Sequence, residues 1–124
     1  FVFASDFTEE CRWSFSEAQK FAKSTGAKMH LLFVNTPREF QTTAQANETI
    51  SNFIKDLEIK DYTINIYNDT SIERGVLQFA KDINAQLIGM STHGRKGLSH
   101  FFNGSVSEDL VNHAKMPVIT FKIK

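Results

Sequence analysis

Gln86-Leu87-Ile88-Gly89-Met90-Ser91 is a short apolar run that ends in a glycine-punctuated stretch from Thr92 to about Asn103. Ser105-Val106-Ser107-Glu108 then reads as a capping box, and Val106, Leu110, Val111 and Ala114 follow as the apolar face of a helix. Pro117 closes that segment, and Val118 to Ile123 reads as another strand. Strand, loop, helix, strand is one βαβ unit, which places the two strands parallel with a right-handed crossover.

The same alternation extends upstream. Phe1 to Ser5 is an apolar run, and Thr8-Glu9-Glu10 opens a helix with Cys11, Phe15, Ala18 and Ala22 on one face. Thr8 is its expected N-cap and Gly26 its stop. Lys28 to Val34 is a second strand, broken at Asn35-Thr36-Pro37. A polar stretch leads to a weaker helix carrying Ala46, Ile50, Phe53, Ile54 and Leu57. Tyr62 to Tyr67 alternates as a third strand. Thr70-Ser71-Ile72-Glu73 is a second capping box, ahead of Ile72, Val76, Leu77, Phe79, Ala80 and Ile83 at helical spacing.

Five strands and four helices in alternation predict an α/β fold with a five-stranded parallel open sheet and helices on both faces. The first, second and fourth strands are almost continuously apolar, as strands covered on both faces must be, while the third and fifth alternate like sheet edges. The order 3-2-1-4-5 satisfies both conditions. Its topological switch lies between strands 1 and 4, where ligands bind beyond the carboxyl ends of the strands. The expected site therefore includes Ser5-Asp6 and the residues from Ser91 to Gly97.

Composition narrows the function. The chain has 124 residues, 14 Lys+Arg and 14 Asp+Glu, so it lacks the basic excess of a nucleic-acid binder. No apolar run is long enough for a membrane span. The single cysteine excludes a disulfide scaffold and fits a reducing compartment. Cys11 is expected on the core face of its helix, with Glu9 and Glu10 opposing an activated thiolate. Four histidines show no metal-ligand spacing, and His30 sits within an apolar strand, as a core histidine would.

The charge is nevertheless unevenly placed. From Ile83 to Ser107 there are 25 residues without a carboxylate, and they include His93, Arg95, Lys96, His100 and three glycines beyond Gly89. Glycines let backbone N–H groups approach an anion, and a helix N-terminus at Gly104-Ser105 adds a favourable dipole. These residues read either as a phosphate cradle or as a mobile loop closed by an ordinary cap. A Walker-type P-loop is not matched, because Gly89 to Lys96 has Arg where Lys belongs and no Ser/Thr for magnesium. A GxGxxG after the first strand is absent as well.

Ala4-Ser5-Asp6-Phe7-Thr8, the segment Met90 to Leu98, the segment Phe101 to Glu108, and Met116-Pro117-Val118 together resemble the universal stress protein family. The resemblance covers essentially the whole chain and implies a Rossmann-like sheet of the order given above. One branch of that family binds ATP through G-x2-G-x9-G-[ST]. Gly94 and Gly104-Ser105 match this pattern, and Ser91 stands in place of its first glycine.

By position, the resemblance implies that Ala4, Ser5 and Asp6 line the adenosine end and that Val34 contacts the base. Met90, Ser91, His93 and Gly94 would border the ribose and phosphates, with Arg95 adding charge. Gly104, Ser105, Val106 and Ser107 would hold phosphate oxygens. At Ser91 the added Cβ and hydroxyl would either obstruct the nucleotide or donate to it. Asp6 has a second reading, as a cap beside Thr8.

The function so implied is a cytoplasmic stress-response module binding ATP or a related adenine nucleotide, with Mg2+ as a further candidate. At most slow hydrolysis is expected, since no general base stands out. The alternatives are a nucleotide-free dimerisation or scaffolding domain whose pocket Ser91 has altered, and an enzyme acting on a phosphorylated metabolite. The edge strand 118–123 would pair with another such domain. Residues 1–124 read as one domain, the C-terminal one of a tandem protein.

Overall fold

The computed structural model describes residues 1–55, 57–59, 61–92 and 104–122, with 92, 104–108 and 122 described as backbone alone. Nine helices and strands alternate among the described residues: β1 (Val2–Ala4), α1 (Arg12–Thr25), β2 (Met29–Asn35), α2 (Thr43–Ile54), β3 (Tyr62–Asn68), α3 (Ile72–Asp82), β4 (Ile88–Thr92), α4 (Gly104–His113) and β5 (Val118–Lys122). All strand pairs are parallel, in the order β3-β2-β1-β4-β5. This is the predicted sheet, with β1 at its centre.

The register fixes which side chains meet each layer. Phe3 lies beside Leu31 and Gly89, while Ala4 lies beside Leu32 and Met90. Phe3, Leu31 and Phe33 face α1 and α2, where Phe15, Phe53 and Ile50 complete one core. Val2, Ala4, Leu32, Val34, Ile88 and Met90 face α3 and α4, where Val76, Phe79 and Leu110 complete the other. Aromatic rings dominate the first core through edge-to-face pairs, including Phe3 with Phe15 at 5.4 Å and Phe15 with Phe53 at 5.3 Å between centroids.

Helix ends depart from the sequence reading in instructive ways. Thr8 makes no side-chain cap, and a 3-10 turn over Glu9–Cys11 precedes α1. The reason is local competition, because the Thr8 hydroxyl donates to Asp6 Oδ1 at 3.2 Å instead. Gly26 does end α1, in a left-handed conformation at φ 69°. The α3 cap is Ser71, which accepts from the Arg74 N–H, so the expected box lies one residue out of register. Thr70 is drawn off by Asp69, whose carboxylate accepts the Thr70 N–H.

A complete capping box, unread in the sequence, joins Thr42 and Gln45 at the start of α2. That helix ends at Ile54, and Leu57 packs from beyond it. Helix α4 begins at Gly104. Val111, expected on its apolar face, is 56% exposed, because Leu110 and Ala114 point at the sheet and residue 111 is rotated about 100° away.

Close packing of α3 on β2 depends on Gly75. A Cβ there would lie 2.5 Å from Val34 Cγ1. Gly75→Val is expected to destabilise the fold by about 1–3 kcal/mol through overpacking, since valine adds little helix propensity over glycine. A urea midpoint equal to or above that of the unaltered protein would contradict this packing.

Candidate functional site

A cavity of about 430 Å³ opens beyond the carboxyl ends of β1 and β2. Its floor is the carboxyl end of β1 and β2, from which Asp6, Phe33 and Val34 reach the wall. The β2–α2 loop supplies Thr36, Arg38, Glu39 and Gln41 on one side, and the start of α3 supplies Ser71, Ile72 and Glu73 on the other. Asp109 of α4 completes the rim.

The position of Asp6 follows from a sharp turn. Phe7 adopts φ 54°, a left-handed conformation that a bulky side chain seldom takes. The turn is held by the Phe7 N–H, which donates to Ser5 Oγ at 3.0 Å, and by the Phe7 ring, buried edge-to-face on Phe53. Asp6 is thereby carried out of the sheet. Its Oδ1 accepts from the Thr8 hydroxyl at 3.2 Å and from Cys11 Sγ at 3.2 Å. Burial, reinforced by the neighbouring Asp6 carboxylate, pushes the Cys11 thiol up to about 11. Cys11 is therefore a protonated donor, as its place on the core face foretold.

Of the residues predicted from sequence, Asp6 and Val34 line the cavity. Ala4 and Met90 are fully buried in the core beneath it, and Ser5 is occupied with the Phe7 turn. Ser91 is also fully buried, but its hydroxyl lies 2.6 Å from Ser14 Oγ, on the α1 side of β4. Ser14 Oγ in turn donates to the Cys11 carbonyl at 2.9 Å. The serine at the glycine position thus points its side chain into the α1 layer. His93, Gly94 and Arg95 lie outside the described residues. Gly104, Ser105, Val106 and Ser107 form the start of α4, described as backbone.

The sequence reading missed the loop wall between Thr36 and Gln41, and also Glu73 and Asp109. Glu73 was legible only as a cap residue. In the structure Glu73 Oε1 hydrogen-bonds His113 Nδ1, joining the start of α3 to the end of α4. That bond and the glutamate charge raise the His113 pKa, whereas burial lowers that of His30, whose Nδ1 lies 2.8 Å from Thr63 Oγ1. Among the described residues, no group of three His, Cys, Asp or Glu side chains could hold a metal ion. No helix among them is long and apolar enough to cross a membrane.

The model of the universal stress protein family matches residues 1–122, and the chain belongs to that family. A Staphylococcus aureus (strain USA300) protein bearing the family name is 29% identical over 142 residues, which span 98% of this chain and 82% of its own. A solved universal stress protein in complex with cAMP superposes with a TM-score of 0.72 at 15% identity, covering 99% of this chain and 95% of that one. The Archaeoglobus fulgidus universal stress protein in complex with dAMP gives a TM-score of 0.68 at 19% identity, covering 98% and 95%. These likenesses establish the fold that the resemblance implied.

Two outcomes test the site geometry. Ser14→Ala leaves the Ser91 hydroxyl without its partner and is expected to cost about 1–3 kcal/mol, more than Ser91→Ala, after which Ser14 keeps its carbonyl acceptor. Equal losses in chemical denaturation would mean that the pair is not built this way. The His113 ring should titrate above, and the His30 ring below, the ordinary value of 6.5 in NMR, with Glu73→Gln returning His113 towards it. Because the His113 pKa is raised in the folded state, its tie to Glu73 holds at low pH and weakens as pH rises through the raised value.

Proposed function

We propose that the cavity binds ATP or a related adenine nucleotide and that the domain acts as a regulatory module in a stress response. The carrying observation is the placement of Asp6, Val34 and Asp109 of α4 around one crevice beyond the carboxyl ends of β1 and β2. Phe33, Val34 and Ile72 offer apolar surface to a base, and the Asp6 carboxylate can accept from a ribose hydroxyl or an amino group. The α4 N-terminus at Gly104 offers unsatisfied N–H groups to phosphate.

The cAMP and dAMP complexes of related folds support an adenine ligand. The side-chain direction of Ser91 favours this reading over a pocket closed at that position. Glu73 and Asp109 on the same rim disfavour an unshielded triphosphate, and Mg2+ bound with ATP would offset their charge. Regulation rather than turnover is proposed because no group in the sequence stands out as a general base. Pairing with a second such domain through the β5 edge, in the cytoplasm, completes the proposal.

Calorimetric titration separates the two ends of the ligand. Gly104→Val should weaken ATP at least tenfold while leaving adenosine nearly unchanged, because the added side chain crowds only the phosphate end. Equal ATP affinity in both proteins would overturn the phosphate assignment. No binding of either ligand at millimolar concentration would overturn the nucleotide reading.

A further inference from the structure

The loop between β2 and α2 forms one whole wall of the cavity, through Thr36, Arg38, Glu39 and Gln41. Its other side faces an open hollow lined by Pro37, Phe40 and Asn68, and Phe40 is 68% exposed. The core therefore does not buttress this wall from behind. The hydrogen bonds at its two ends converge on one side chain.

Asn35, the last residue of β2, is only 5% exposed. Its Nδ2 donates to the Gln41 carbonyl at 2.7 Å, and its Oδ1 accepts the Gln41 N–H at 2.9 Å. This paired contact closes the six-residue excursion like a clasp. Asn35 Nδ2 also reaches Asn68 Oδ1 at 3.3 Å, and the Asn35 carbonyl accepts the Asp69 N–H at 3.0 Å. One residue thus holds both the β2–α2 wall and the turn that leads to the Ser71-Ile72-Glu73 wall. Thr49 of α2 adds a weaker tie, donating to Gln41 Oε1 at 3.4 Å.

The topology assigns this wall a role. A nucleotide whose phosphates face α4, beyond β4, must extend its base across β1 towards β2. The clasped loop is then the surface that the base meets. We infer that Asn35 is the positioning residue that fixes the 36–41 loop as the base-facing wall and so sets the preference for adenine over guanine. This inference rests on the nucleotide reading given above. A rigid wall rejects a base with a different hydrogen-bonding edge, because the mismatched groups stay unpaired, whereas a loose wall adapts to either.

The test uses AMP and GMP titrations together with amide hydrogen exchange on Asn35→Leu, which keeps the branched shape and removes both clasp bonds, and Asn35→Asp, which keeps the acceptor alone. The unaltered protein should prefer AMP. Both variants should bind AMP about tenfold more weakly, with the AMP-to-GMP ratio falling towards one. The Gln41 amide should lose protection in Asn35→Leu while amides of β1 and β4 keep theirs, which separates a loosened wall from a loosened fold. An unchanged ratio in both variants, alongside AMP binding by the unaltered protein, overturns the role of Asn35 alone. A Gln41 amide still protected in Asn35→Leu also overturns it. Failure of the unaltered protein to bind AMP overturns the nucleotide reading and this inference with it.

Discussion

The left-handed backbone at Phe7 is the constraint around which the functional end of the domain is organised. Such a conformation costs on the order of 1–3 kcal/mol for a non-glycine residue. It persists because the ring is buried against Phe53 and the amide is held by Ser5. Removing the kink would let the chain run on from β1 towards α1 without turning Asp6 outward. The aromatic core beneath the sheet and the carboxylate in the crevice are therefore coupled through one residue. Aromatic packing between α1, α2 and β1 positions the polar group on the opposite side of the turn.

A second coupling runs through buried polar atoms. Ser91 on β4 meets Ser14 on α1, Ser14 donates to the Cys11 carbonyl, and Cys11 Sγ donates to Asp6. Both serines are fully buried, where an unpaired hydroxyl would be costly, so the pair accounts for how a side chain can occupy a position that the family pattern gives to glycine. The substitution is absorbed on the helix side of the sheet. The same thread gives Cys11 its character, since burial beside a carboxylate favours a protonated thiol over a reactive thiolate.

Sheet order was legible because strand burial writes itself into composition. The unbroken apolar runs of β1, β2 and β4 demand cover on both faces, and only a central position provides it. Helix starts were less legible, because several polar residues compete for the same N–H groups. Thr8 and Thr70 both look like caps, and in each case a nearby aspartate captures them. The site was half legible. Asp6 follows from the end of β1 at the switch point and Val34 from the family resemblance, whereas the contacts of Asn35 depend on Gln41, Asn68 and Asp69 arriving from separate segments. In sequence, Asn35-Thr36-Pro37 signals only that a strand stops.

Net neutrality conceals an uneven distribution of charge along the chain. The described walls carry four carboxylates, Asp6, Glu39, Glu73 and Asp109, against the single cation Arg38. The segment from Ile83 to Ser107 carries none, and its sequence includes Arg95 and Lys96. Carboxylates in the walls repel phosphate, whereas cationic side chains and a helix N-terminus attract it. Ribose hydroxyls and a base amino group, being donors, are matched by the carboxylate acceptors of these walls. A ligand with donors at one end and negative charge at the other would turn its donor end to these walls. The 14 acidic and 14 basic residues balance over the chain as a whole, and that balance hides the concentration of carboxylates in the crevice walls.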